Sequence, residues 1–220
     1  MERVVATDLE GTLTAGSTWR GVGRYLSEHG QRGRYRRFLY LRLPQVLLAR
    51  RGLIDVQGFR ERWMRDLTVL LRGMTRGEIE AMADWVFDHE LWPDRREAVL
   101  AELRIALDGG ARLVVASGTY TPIAERFAAR LGAETIGTDL AFDPDDRATG
   151  RFAGSMGTGQ EKVDRLKAIL HGATLETAYG DTTADIPMLS LATIGVVVHP
   201  DPKLRRAAIG RGWRIIEDAE

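Results

Sequence analysis

Four short apolar runs set the architecture open to this chain: RVVAT at 3–7, RLVVAS at 112–117, LETAYG at 175–180 and IGVVVH at 194–199. Each has the length of a strand. None shows the long apolar–polar alternation of a strand with one wet face, so each reads as a strand buried on both faces. Small or acidic residues follow every run, and then a helical pattern. GAETIG at 132–137 and GWRIIE at 212–217 read as further short strands. Strands alternating with helices predict an α/β fold with a Rossmann-like, doubly wound parallel sheet. At 220 residues with 44% hydrophobic content, the chain can build a core of the size this needs.

The interval 16–92 breaks that alternation. Its pattern predicts helices near 18–29, 33–50, 56–71 and 75–89, with breaks at Gly30, Gly33, Gly52, Gly73 and Gly77. Phe59, Trp63, Leu67, Leu70 and Leu71 recur on one helical face, the spacing of a core-packing stripe. An all-helical cap at 16–92 is therefore expected to interrupt an α/β core made of 1–15 and 93–220. DPDDRATGRFAG at 143–154 has the turn content of a hairpin.

Ligand sites in open α/β sheets form at the carboxyl ends of the strands. The polar residues at those ends are Asp8 and Glu10, then Ser117 and Gly118, then Asp181 and Asp185, with Lys162 opening a helix. Taken singly, each has an ordinary structural reading. Acids and serines after strands cap helices, and a lone lysine is usually solvated. Taken together they bring several carboxylates, a hydroxyl and an ammonium to one edge of the sheet. So many carboxylates would repel, and a divalent cation would relieve them. Oxygen-only ligands favour magnesium over zinc.

Composition narrows the alternatives. There is no cysteine, which excludes disulfides, thiolate nucleophiles and zinc–thiolate sites. Formal net charge is zero, so nucleic acid is not expected as a partner of the whole molecule. FLYLRLPQVLLARRGLI is too interrupted by Arg42, Pro44, Arg50 and Arg51 for a membrane span. The N-terminus lacks an apolar signal region, so a cytoplasmic protein is expected. Charge is uneven even so: nine arginines and one acid, Glu28, lie between Arg20 and Arg51. Within that stretch GQRGRYRRFLYLR interleaves basic and aromatic residues, as a solvated helix face or an anion-binding surface would.

With these residues in place, the chain resembles the haloacid dehalogenase superfamily, in its phosphoserine-phosphatase-like branch with a helical cap after the first strand. DLEGT at 8–12 matches the family's DxDxT motif, with Glu in place of the second Asp. Ser117 in VVASGT, Lys162 in GTGQEKVDRL and the pair Asp181 and Asp185 in GDTTADIPML match the other three motifs. The resemblance covers the core well and the cap only in position and helical character.

The resemblance implies hydrolysis of a small phosphomonoester with Mg2+ as cofactor. Asp8 would be the nucleophile, forming an aspartyl-phosphate, and Glu10 the general acid/base. Thr12, Ser117, Gly118 and Lys162 would bind the phosphoryl group. Asp8, the main-chain carbonyl of Glu10, Asp181 and Asp185 would serve the metal. Glutamate adds about 1.5 Å of reach over aspartate, with little change in intrinsic pKa. Two other functions are open: phosphoryl transfer to an acceptor other than water through the same intermediate, and non-catalytic binding of an anionic ligand by the basic cap helices. Arg20 is a candidate for an anionic substrate group, or else a solvated arginine. Neither the substrate nor the oligomeric state follows from the sequence.

Overall fold

The computed structural model describes residues 2–50 and 56–217. Six parallel strands form the main sheet: β1 (Arg3–Thr7), β2 (Arg112–Tyr120), β3 (Glu134–Thr138), β6 (Thr174–Gly180), β7 (Ile194–Val198) and β8 (Arg214–Ile216). Their spatial order is β3-β2-β1-β6-β7-β8. Two short antiparallel strands, β4 (Leu140–Phe142) and β5 (Ala148–Phe152), make the hairpin expected at 143–154. Order reverses between β1 and β6, so the crevice of the topological switch opens at their carboxyl ends.

Alternate residues of each strand serve opposite faces. Val5, Leu113, Val115, Val196 and Val198 enter one apolar cluster, while Val4, Ala6, Val114, Ala116 and Val197 enter another. Side chains alternate across a strand, so apolar runs without polar gaps supply both layers at once. The second cluster is closed by α7 (Gly159–Leu170), α8 (Ile186–Leu191) and α9 (Pro202–Arg211). The first is closed by α5 (Glu97–Asp108), α6 (Thr121–Leu131) and the helices inserted after β1.

That insertion holds α1 (Thr18–Glu28), α2 (Arg32–Arg50), α3 (Val56–Leu70) and α4 (Arg76–Val86), followed by a π-turn at Phe87–Leu91. The predicted break at Gly52 lies outside the described residues. Trp63, Leu67, Leu70 and Leu71 are buried as their spacing predicts, and Phe59 is half-buried beside Trp63. α4 begins with a capping box, in which Thr75 Oγ1 accepts from the Glu78 N–H and Glu78 accepts from the Thr75 N–H. The inserted helices and the sheet share one apolar cluster.

Local outcomes differ from the sequence reading in two places. β2 continues through Ser117, Gly118 and Thr119 to Tyr120, and its pairing with β3 breaks between Ala116 and Tyr120. Gly118 therefore stands in an irregular strand end, not at a helix start, because α6 opens only at Thr121 with Pro122 in its first turn. Arg20 remains exposed on α1, as the solvated reading has it, but its guanidinium is paired. Its guanidinium is 2.8 Å from the buried carboxylate of Glu90 in the π-turn, which also takes Arg24.

Candidate active site

Asp8 follows β1 directly, and its N–H donates to the Tyr179 carbonyl of β6 at 2.9 Å. Strand pairing thus carries Asp8 to the edge from which Asp181 emerges. Asp8, Asp181 and Asp185 each offer a carboxylate oxygen, and these atoms all lie within 4.8 Å of one another. Two glycines make the approach possible. Gly11 has φ +85°, and a Cβ there would fall 2.0 Å from Asp181 Oδ2. A Cβ on Gly180 would fall 2.5 Å from the Cβ of Asp185. Only a residue without a side chain fits either place.

Lys162 enters from α7. Its Nζ donates to Asp8 Oδ1 and Asp185 Oδ1, each at 2.7 Å, and the residue is only 3% exposed. Asp185 does two jobs. Oδ1 holds Lys162, while Oδ2 accepts from the N–H and hydroxyl of Thr182 at 3.1 Å. The same acid thus takes part in a capping box with Thr182 and in the contact with Lys162. Thr12 Oγ1 faces Asp181 Oδ1 at 3.5 Å, a long contact.

Ser117 lies two residues beyond Val115, which pairs with Thr7, so it stands at the same sheet edge as Asp8. Its hydroxyl accepts from the Thr119 N–H at 3.3 Å. Gly118 packs against Thr158, where an added Cβ would meet the Thr158 methyl at 2.5 Å. Thr158 immediately precedes α7, so this contact seats the start of the helix that carries Lys162.

Burial raises Asp8, pushing it up to about 7 despite the opposing charge of Lys162, with Asp185 and Glu10 adding to the rise. Asp181 is raised well above its ordinary value by burial, then by Asp8 and Asp185. Burial alone would lower Lys162, but Asp185 and Asp8 outweigh it and hold the ammonium charged. One cation among three crowded carboxylates leaves excess negative charge. The donor set is all oxygen, so a hard divalent cation such as Mg2+ fits it.

This excess has a measurable consequence. Carboxyl groups raised in the folded state stabilise it below their unfolded pKa, near 3.8, and lose that contribution as pH climbs through about 7. A bound cation reverses the loss but must displace protons at low pH. Displacing one proton weakens binding roughly 100-fold from pH 7 to pH 5, worth about 2.7 kcal/mol at saturation. Magnesium is expected to raise the melting temperature about 5–10 °C more at pH 8 than at pH 5. Equal shifts at both pH values would mean that the cation does not bind these acids.

Glu10 is not among the three clustered acids, though its charge still acts on Asp8. The polar groups acting on its carboxylate are those of Thr18 and Ser17, at the start of α1. Burial raises its pKa, and these donors and the charge of Arg60 only partly offset the rise. The extra methylene lets the carboxyl span from the strand end to the inserted helix.

Several contributors were not legible in sequence. Arg60, on α3, brings positive charge to both Glu10 and Asp181. Thr18 Oγ1 bonds Thr119 Oγ1, tying α1 to the end of β2. Glu61 reaches Thr158 at 3.4 Å. Each depends on packing between segments far apart in sequence, 101 residues for Thr18 and Thr119 and 97 for Glu61 and Thr158, for which no local pattern exists.

A family model for haloacid dehalogenase-like hydrolases matches residues 5–190. A phosphoserine phosphatase of Mycobacterium tuberculosis is 32% identical over 219 residues, spanning 94% of this chain and 68% of that protein. The crystal structure of a Bordetella pertussis protein of unknown function superposes with a TM-score of 0.79 at 22% identity, covering 98% of both chains. A phospho-aspartyl intermediate analogue of a phosphoserine phosphatase superposes at 0.66 and 17% identity, covering 100% of this chain and 94% of that one. At these identities the two structures speak for the fold.

Proposed function

The chain belongs to the haloacid dehalogenase-like hydrolase family, and on that premise we propose that it is a phosphatase hydrolysing a small phosphomonoester in two steps on Asp8. The observation that carries the proposal is the Lys162 ammonium clamped between Asp8 and Asp185 beside Asp181. Lys162 is a fixed positive charge held directly beside the proposed carboxylate nucleophile. The insertion 16–92 acts as the cap that closes over substrate, and the segments 1–15 and 93–220 form the catalytic core.

In the first step a carboxylate oxygen of Asp8 attacks phosphorus while Glu10 gives its proton to the departing ester oxygen. The alcohol leaves, and an aspartyl-phosphate remains. In the second step Glu10 takes a proton from water, the water oxygen attacks phosphorus, and the P–O bond to Asp8 breaks to release inorganic phosphate. Burial holds the Glu10 carboxyl above its ordinary range, which favours the protonated form that the first step needs. Lys162, Ser117, the Gly118 N–H and Thr12 bind the phosphoryl oxygens, Lys162 as a fixed point charge. Asp8, Asp181, Asp185 and the main-chain carbonyl of Glu10 would hold Mg2+, which supplies charge neutralisation between the carboxylate and the phosphate dianion.

The relative from Mycobacterium tuberculosis is named for phosphoserine. We include phosphoserine among the substrates to be tried, because a cap of this size suits small esters.

A panel of phosphorylated metabolites with magnesium tests the reading, with Glu10 as the internal probe. Glu10→Gln keeps the hydrogen-bonding shape and removes the proton, and is expected to lower kcat by about 10²–10⁴. Glu10→Asp should retain substantial activity. Undiminished turnover in Glu10→Gln would withdraw the role given to Glu10. Absence of phosphate release from the whole panel would count against the phosphatase reading itself.

A further inference from the structure

The arginine-rich stretch of the insertion takes no part in the site described above. It forms the first half of α2. Gly33, Arg36, Arg37, Tyr40, Leu41 and Pro44 recur at the three- and four-residue spacing of one helical face, and every one of them is exposed. Tyr40 and Leu41 are each 68% exposed, among the most exposed large apolar side chains of the described residues. Phe38, on the opposite side, is buried against Trp63. The outward face is thus not a disordered end but the outer surface of a helix anchored from beneath.

Its charge is one-sided. α2 carries no acidic residue. Among the described residues Arg32, Arg36 and Arg37 make no hydrogen bond or ion pair, in contrast to Arg34, bound to the Val69 carbonyl, and Arg42, paired with Asp66. The nearest acid in sequence is Glu28, at the end of α1. Three unpaired guanidinium groups therefore flank or share a face with an exposed tyrosine and leucine.

We propose that this face of α2 docks the protein on an anionic membrane surface. Arg32, Arg36 and Arg37 would meet lipid phosphates, whose oxygens match the guanidinium fork. Tyr40 and Leu41 would enter the boundary between headgroups and acyl chains, where an aromatic with a polar tip and an aliphatic side chain both gain. No helix among the described residues is long and apolar enough to cross a membrane, so the contact is a surface one. Two other occupants suit the face less well. A second copy of the chain would set the same arginines against each other. A nucleic acid would find one aromatic for stacking and would leave Leu41 without a partner.

Sedimentation with vesicles tests this independently of any enzymatic activity. Binding to vesicles of mixed phosphatidylglycerol and phosphatidylcholine is expected at low salt, with none to phosphatidylcholine alone and a strong loss at high salt. Each arginine contributes roughly fivefold to partitioning, so Arg36→Glu with Arg37→Glu should weaken it by at least about 25-fold. Tyr40→Ser with Leu41→Ser should weaken it by about tenfold. Both double variants should keep wild-type melting temperature and wild-type turnover of a soluble phosphate ester. No binding to anionic vesicles, or binding unmoved by the arginine exchanges, would overturn the proposal. So would displacement from vesicles by equimolar single-stranded RNA, or a concentration-dependent dimer that the Tyr40 and Leu41 exchanges abolish.

Discussion

Asp8→Asn is expected to abolish phosphate release while making the metal-free protein more stable at pH 8. Asparagine keeps the shape of aspartate but is a far weaker nucleophile, so loss of turnover should be on the order of 10⁴-fold or more. The stability effect follows from the raised pKa of Asp8, pushed up to about 7 chiefly by burial. Its ionised form is costly in the folded state, and the cost builds as pH rises from about 3.8 and is complete above about 7. Asparagine is neutral throughout and does not incur it. Lys162 still keeps Asp185 at 2.7 Å. Melting curves at pH 5 and pH 8 without magnesium should therefore diverge, with the variant ahead at pH 8. A less active and also less stable variant at pH 8 would show that Asp8 serves the fold before it serves the chemistry.

Lys162→Met should have the opposite effect on stability. Methionine fills much of the same volume but leaves Asp8 and Asp185 without their shared cation in a site where all three are nearly fully buried. Removing one partner of a buried ionic cluster costs about 3–5 kcal/mol, equivalent to a fall of roughly 10 °C for a chain of this size. Magnesium should recover part of that loss by supplying positive charge to the same carboxylates. Turnover should fall by about 10²–10³, the effect of removing one fixed charge from a transition-state site. An unchanged melting temperature at pH 8 would mean that the two acids share protons in place of the ammonium.

The two variants separate the roles of one cluster. Asp8 is expected to lower apo stability and to be needed for chemistry. Lys162 is expected to support both. Pairs whose removal shifts stability in opposite directions are a signature of excess charge held in place for function.

Much of this was visible in the chain before folding. β1 runs over the residues that RVVAT predicted, and the other strands lie within a few residues of theirs, because a strand buried on both faces has little room for polar residues. The helical insertion was visible as a change of period, and the stripe of α3 through Trp63 and Leu67 is buried accordingly. Asp8, Lys162, Asp181 and Asp185 were legible because strand ends in an α/β sheet share one edge, and three of these acids do come together. The end of β2 was misplaced, because SGT has the composition of a helix start, whereas pairing with β1 and closure by Thr138 and Thr158 keep it extended. The partner of Arg20 could not be read locally, because Glu90 lies 70 residues away and gives no sign in sequence that it is buried beside α1.

Local pattern alone thus determined the strand order in sequence, the inserted helices and the four polar landmarks, since each rests on periodicity or on a short motif. Tertiary structure decided what those landmarks do to one another. It brought a lysine into 2.7 Å contact with two aspartates, raised the acids by burying them together, and turned the longer Glu10 toward the first turn of α1. Those outcomes depend on distances between segments far apart in the chain and on the low dielectric between them, and neither quantity is written in any single stretch of sequence.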